Sequence, residues 1–243
     1  MRPVAILQHE TTQGPGVLRE HLEQQCIPYQ LLHPALEGRT PLQARDYSGI
    51  IVLGSNHCAN EQWPWMEDEQ MLLANALRHD VPVLGHCFGA QMLARAMGAR
   101  VWRNPCPNIG WSRVWVTAAA QRLMHMPRQA TLFHWHYDTF EIPRGAVRTM
   151  YGSHCLNKGF RHGKHWAFQG HMEVTAASIA DWCAQGHDEL LHARGPAVQT
   201  GWQILQQTRL CLPALQAMAH RVYGAWTAQL ERPVVVSLNA GRR

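Results

Sequence analysis

The 243-residue chain has no apolar run approaching the roughly 18 residues that a membrane-spanning helix needs. No membrane segment is expected. No basic-then-apolar leader opens it, so no secretory signal peptide is read. Cysteine occurs seven times, an odd number. The positions are Cys26, Cys58, Cys87, Cys106, Cys155, Cys183 and Cys211. No paired spacing joins them, which argues against a disulfide framework and against a zinc ribbon. A reducing cytoplasm is the expected compartment. Charge is sparse at 16% of residues, and the formal net charge of +5 is scattered. Only Arg161-His162-Gly163-Lys164-His165 and Arg242-Arg243 form local clusters. That is the pattern of a solvated basic surface, and no nucleic-acid partner is expected. A Gly-x-x-x-x-Gly-Lys phosphate loop is missing, as are internal repeats and low-complexity linkers.

Histidine is plentiful, with 16 copies. Neither His134-x-His136 nor His154-Cys155 with His162 and His165 has the spacing of a metal site, so no metal and no cofactor is expected. Trp63, Trp65, Trp102, Trp111, Trp115 and Trp135 fall at strand and helix spacings and read as core.

What the chain does have is a cysteine between glycines, Gly85-His86-Cys87-Phe88-Gly89-Ala90-Gln91. It follows the apolar run Val81–Leu84 and precedes a helical pattern over Gln91–Met97. Such a junction requires a sharp turn, and glycines permit its close contacts. The cysteine is then exposed at the carboxyl edge of a sheet, under the N–H groups of the next helix, which favour thiolate. This is the geometry of a nucleophile elbow. Taken alone, Cys87 reads equally well as a buried structural cysteine. Far downstream, His165–Gln169 reads as a short strand followed by Gly170-His171-Met172-Glu173. In extended backbone, residues i and i+2 share a face. His171 can accept the thiol proton, and Glu173 can hold the imidazole in one tautomer.

Gly-x-Cys-x-Gly-x-Gln with a distant His-x-Glu resembles the class I glutamine amidotransferase family. Further segments carry the likeness. His9–Gly16 resembles the family's first loop, and Ile50–Ser55 its strand and oxyanion loop. Asn108-Ile109-Gly110-Trp111 is similar to its Glu-Ile-Gly-Trp, and Trp135–Pro143 to its His-Gly-Asp-x-Phe-x-x-Pro segment. The likeness covers residues 1–185. It implies a flavodoxin-like α/β fold, an open, mostly parallel sheet flanked by helices. It also implies catalysis by Cys87, His171 and Glu173, an oxyanion hole from the backbone N–H groups of Gly54 and Phe88, and substrate binding by Gln91, Trp135, His136 and Asp138. Asp138 would meet the substrate's ammonium.

The patterns agree with that fold. Strands are expected at Val4–Leu7, Tyr29–Leu32, Gly49–Leu53 and Val81–Leu84, with helices at Val17–Gln25 and Trp63–Leu77. After Arg100 helical patterns become sparse, and Ser112–Thr117, Thr131–His134, Ala146–Tyr151 and Lys164–Gln169 read as partly antiparallel strands. Val174–Ala184 returns to helix. Residues 186–243 form a helical extension packed on the same domain, with a helix over 197–231 broken near Pro213. Pro233–Leu238 reads as an edge strand or a disordered tail.

Six positions depart from the family pattern. His86 replaces an aliphatic residue, and Tyr137 a glycine. Asn108 replaces a glutamate, Lys158 a glutamine, and Gly170-His171-Met172-Glu173 stands for Phe-His-Pro-Glu. Three functions remain open. One is hydrolysis of the glutamine side-chain amide, the ammonia being released or passed to a separate synthetase. The second is hydrolysis of a γ-glutamyl peptide or amine. The third is a non-catalytic binding or stress-type protein on the same fold, against which His171 and Glu173 speak. The expected partners are a small-molecule substrate and, for the first function, the synthetase.

Overall fold

The computed structural model describes residues 1–231. The parallel half of the sheet contains β1 (Val4–Leu7), β2 (Tyr29–Leu32), β3 (Gly49–Val52) and β4 (Val83–His86). Three helices connect them: α1 (Gly16–Gln24), the short α2 (Pro34–Glu37) and α3 (Pro64–Arg78). Then follow α4 (Phe88–Ala96), the long β5 (Val101–Val116), α5 (Ala118–Met124) and β6 (Gln129–Phe140). The strands β7 (Val147–Tyr151), β8 (Gly159–His162) and β9 (His165–Phe168) precede α6 (Ala176–Gln185), α7 (His187–His192) and α8 (Gly201–Thr227).

Among the described residues, the nine strands lie in one sheet of order β2-β1-β3-β4-β9-β8-β7-β5-β6. From β2 to β9 neighbours run parallel. From β9 to β6 they run antiparallel. β1, β3, β4 and β9 are buried along their whole length, as expected for strands covered on both faces. One apolar layer joins α1, α6 and α8 to the sheet through Leu18, Ile179, Tyr223 and Trp226. The other packs α3 and α4 against it through Leu72, Leu73, Met92 and Leu93. Strand β9 enters the sheet beside β4, which brings a late segment of sequence next to the elbow.

Several expectations are corrected. Pro213 does not break the C-terminal helix; α8 runs through it. A proline removes one N–H and frees the carbonyl four residues earlier. Pro213 and Arg209 both lie on the exposed face, where water can satisfy that carbonyl. The buried residues Leu212 and Leu215 hold the helix on the core. Trp63 and Trp102 are surface residues, 47% and 41% exposed, and not core. The short strands expected at Ser112–Thr117 and Thr131–His134 are parts of the much longer β5 and β6, which pair along their length with one irregularity between Arg103 and Asn108. Helices α5 and α7 had no distinct sequence expectation. The tail at Pro233–Leu238 and the Arg242-Arg243 pair lie outside the described residues.

No helix among the described residues is long and apolar enough to cross a membrane. Nor does any group of three or more His, Cys, Asp or Glu side chains there gather as a metal site.

Candidate active site

The elbow is formed where β4 passes directly into α4. Cys87 has φ 50° and ψ −108°, in the strained region typical of such a turn. Glycines make the turn possible by close approach. A Cβ on Gly89 would sit 2.1 Å from the Val52 carbonyl oxygen, and one on Gly85 would sit 2.5 Å from the Gly89 carbonyl oxygen. The Cys87 N–H is anchored to the Phe168 carbonyl at 2.8 Å, which ties the elbow to β9. Cys87 caps α4 without any side-chain hydrogen bond to its first turn.

His171 and Glu173 come from the loop after β9. The His171 N–H donates to the Phe133 carbonyl at 2.9 Å, and Val17 N–H donates to the Glu173 carbonyl at 2.9 Å. The side chains meet at 2.6 Å between His171 Nδ1 and Glu173 Oε1, and both are buried. The Trp182 indole packs edge-on against the His171 ring at 4.9 Å. For His171, burial opposes the charge, but Glu173 and the neighbouring Cys87 sulfur outweigh it and raise the imidazole's pKa. For Glu173, burial opposes ionisation, yet His86, His171 and the hydrogen bond from His171 hold the carboxylate below its usual range. His171 and Glu173 therefore form a buried hydrogen-bonded pair beside the Cys87 elbow.

Gly54 follows β3 and lies against His171: a Cβ there would meet His171 Cε1 at 2.9 Å. Its carbonyl oxygen accepts from His9 Nδ1 at 3.1 Å, and His9 Nε2 lies 2.9 Å from Glu69 Oε2. Both side chains of this pair are fully buried. The pair braces the Gly54 loop from below. The sequence offered His9 only as the start of the first loop and did not offer Glu69, which stands in an unremarkable helical stretch.

A cavity of about 340 Å³ opens above Cys87 and Phe88. Its walls include Gln91, Trp135, His136, Tyr137, Asp138 and Glu189. Asp138 is engaged on both oxygens: Cys58 Sγ–H donates to Oδ2 at 3.0 Å, and Arg103 Nη1 lies 3.8 Å from Oδ1. Burial and then the Asp138 bond push the Cys58 thiol up. Gln91 reaches the Asp138 carbonyl with Nε2 at 3.3 Å, so it supports the loop as well as lining the cavity. The Trp135 carbonyl is 3.8 Å from Cys87 Sγ. Tyr137 carries the Arg103 guanidinium over its ring at 4.2 Å. Trp135 Nε1 donates to both Glu189 oxygens at 3.1 Å, tying α7 to β6.

The His136 side chain turns under the cavity. Its Nδ1–H donates to the Asp138 carbonyl at 2.9 Å, and its Nε2 accepts from Lys158 Nζ at 3.1 Å. Lys158 is buried and also reaches Asn108 Oδ1 at 2.8 Å and His134 Nδ1 at 3.4 Å. The cation between these two histidines is thus the protein's own ammonium. Lys158 and Asn108, two departures from the family pattern, are bonded to each other. Burial lowers the Lys158 pKa to about 8.

A doubly covered α/β sheet thus carries a strained cysteine elbow, with a His–Glu pair beside it at the carboxyl edge. The family model for class-I glutamine amidotransferases matches residues 20–180, and the chain belongs to that family. A glutamine amidotransferase structure from Methylobacillus flagellatus superposes with a TM-score of 0.92, at 35% identity and covering 96% of each chain. The glutamine amidotransferase-like protein YfeJ of Salmonella typhimurium is 27% identical over 201 residues, covering 79% of this chain and 84% of that protein. The GMP synthase of Bacillus velezensis is 24% identical over 149 residues, which span 60% of this chain but only 28% of that enzyme.

Proposed function

We propose that the protein is a cysteine hydrolase of a γ-carboxamide, with glutamine as the parent substrate. The observation that carries this reading is the buried His171–Glu173 pair, 2.6 Å apart, beside the strained Cys87 elbow. In this reading Cys87 attacks the amide carbon. The oxyanion is met by the N–H groups of Phe88 and Gly54, which are fixed before the charge develops. His171 takes the thiol proton and returns it to the departing amine, and Glu173 stabilises the imidazolium. Water then attacks the γ-glutamyl thioester, with His171 as base, and releases glutamate and the thiol.

Asp138 is the proposed partner of the substrate's α-ammonium, in exchange for its contacts with Cys58 and Arg103. The matched relatives include whole GMP synthases, of which this chain resembles the smaller part. Transfer of the ammonia to a separate synthetase is accordingly one proposed fate; release is the other.

A second reading is favoured by one feature. The cavity, at about 340 Å³, falls in the range of roughly 300–1,000 Å³ usual for drug-sized ligands. A γ-glutamyl peptide or γ-glutamyl amine fills such a volume better than glutamine does, with its leaving group against Tyr137 and Glu189. Labelling with a glutamine-like diazo-ketone tests both readings. Modification of Cys87 ahead of the other six cysteines is expected; faster labelling elsewhere at neutral pH contradicts the assignment.

A further inference from the structure

Behind the candidate triad lie two side chains that no step above uses. His86 ends β4, immediately before Cys87, and Tyr223 comes from α8. Both are fully buried. Tyr223 Oη is 3.3 Å from His86 Nε2. On the other side of the ring, His86 Nδ1 is 3.3 Å from the Gly170 carbonyl oxygen and 3.5 Å from Glu173 Oε2. That second carboxylate oxygen has no hydrogen-bond partner, and the His86 ring nitrogen is the polar group that faces it, whereas Oε1 is taken by His171.

These contacts determine the tautomer. Both neighbours of Nδ1 are acceptors, a peptide carbonyl and a carboxylate. A lone pair on Nδ1 would face two other lone pairs; a proton there satisfies them. Burial favours the neutral ring, against the opposing pull of Glu173. Nε2 is then the acceptor, and the Tyr223 hydroxyl donates to it. Burial, reinforced by the Glu173 charge, keeps that phenol protonated.

We propose that Tyr223 and His86 are positioning residues: the phenol sets the His86 tautomer, and His86 Nδ1–H steadies the free oxygen of Glu173, so that Glu173 holds His171 towards Cys87. The proposal rests on the triad reading. It makes α8 part of the active-site scaffold, and it gives a role to a histidine that stands where the family has an aliphatic residue. A polarised N–H facing the carboxylate also draws on its charge, so Glu173 grips the His171 proton less tightly than it would alone.

The ionisable groups around this pair come from five elements. They are Glu173 and His171 after β9, Cys87 at the elbow, Tyr223 on α8, His21 on α1 against the Tyr223 ring, and His134 and His136 on β6. Burial, with Lys158, keeps the last two neutral.

The test is alkylation of Cys87 by iodoacetamide across pH, with the site read by mass spectrometry, in the wild type and in His86→Leu, His86→Asn and Tyr223→Phe. The expected wild-type profile has an alkaline transition as His171 loses its proton. In His86→Leu that transition moves up by about half a pH unit or more, because Glu173 then acts on His171 alone. Tyr223→Phe moves it in the same direction. His86→Asn, whose amide N–H takes the place of Nδ1–H, restores the wild-type profile. With a turned-over substrate, kcat of the Leu and Phe variants falls by about tenfold while KM stays unchanged. Tyr223→Phe removes a single oxygen from a packed ring, so it retains the fold. An unmoved profile in His86→Leu or Tyr223→Phe, or a downward shift in either, overturns the proposal. A wild-type Cys87 no more reactive than the other cysteines overturns the triad reading itself, and this inference with it.

Discussion

Glu173 Oε1 stands 2.6 Å from His171 Nδ1, inside a shell that excludes water from both side chains. Their chain separation of two residues puts them on one face of an extended loop, and the backbone bonds to Phe133 and Val17 hold that loop in place. In the proposed reading the proton that moves in catalysis belongs to His171, and Glu173 orients and stabilises it. His171→Ala is expected to lower kcat by about 10²–10⁴-fold, the usual worth of a general base. Glu173→Gln should lower it less. Steady-state kinetics on both variants checks the order; a larger loss at Glu173 reverses the roles.

Asp138 carries the substrate's amino-acid head in the proposed reading. Asp138→Asn should raise KM strongly while leaving alkylation of Cys87 by a small neutral reagent unchanged. N-acetylation of the substrate should have the same effect, because the ammonium is lost from the other side. Equal rates for free and acetylated substrates would point to a general amidase.

The His9–Glu69 pair is a structural brace with a functional consequence. Both side chains are fully buried, and His9 also holds the Gly54 carbonyl. Removing one partner of a buried pair typically costs about 3–5 kcal/mol. Glu69→Ala should show a loss of that size in denaturant unfolding, and turnover should fall further than the folded fraction does. Loss of stability without that extra fall would limit the pair to packing.

Lys158 gives a pH signature. Its pKa in the folded protein is lowered to about 8 from the ordinary 10.5 by burial. The unfolded chain therefore binds this proton more readily than the native one. The native state is penalised fully below about 8, and the penalty disappears as pH rises to 10.5. Lys158→Met should abolish this local rise of stability with pH between those values. The measurement is denaturant unfolding of both proteins from pH 7 to pH 10.5; parallel curves would contradict it.

What could be read in advance follows from distance along the chain. The turn at Gly85, Cys87 and Gly89 was expected from glycine spacing beside an apolar run, but its functional reading needed the downstream His171 and Glu173, and those two gained meaning only beside the elbow. The buried strands β1 and β3 were legible as continuous apolar runs. Tyr223 was not, since its partner His86 is over a hundred residues away and its own helix reads as ordinary core. Trp182 and Glu189 reach the cavity from α6 and α7 for the same reason: folding and not spacing brings them there. Lys158 stood out only as a departure, and its three acceptors come from β5 and β6. Pro213 misled because a helix-breaking residue was weighed without knowing that its freed carbonyl faces solvent.

Hydrolysis itself is the most direct test. Ammonia release from glutamine, and amine release from a γ-glutamyl amide, should be measured on the isolated chain and on Cys87→Ala. The account predicts turnover of at least one of the two by the wild type and none above background by the variant. Turnover that survives the loss of Cys87 would contradict it.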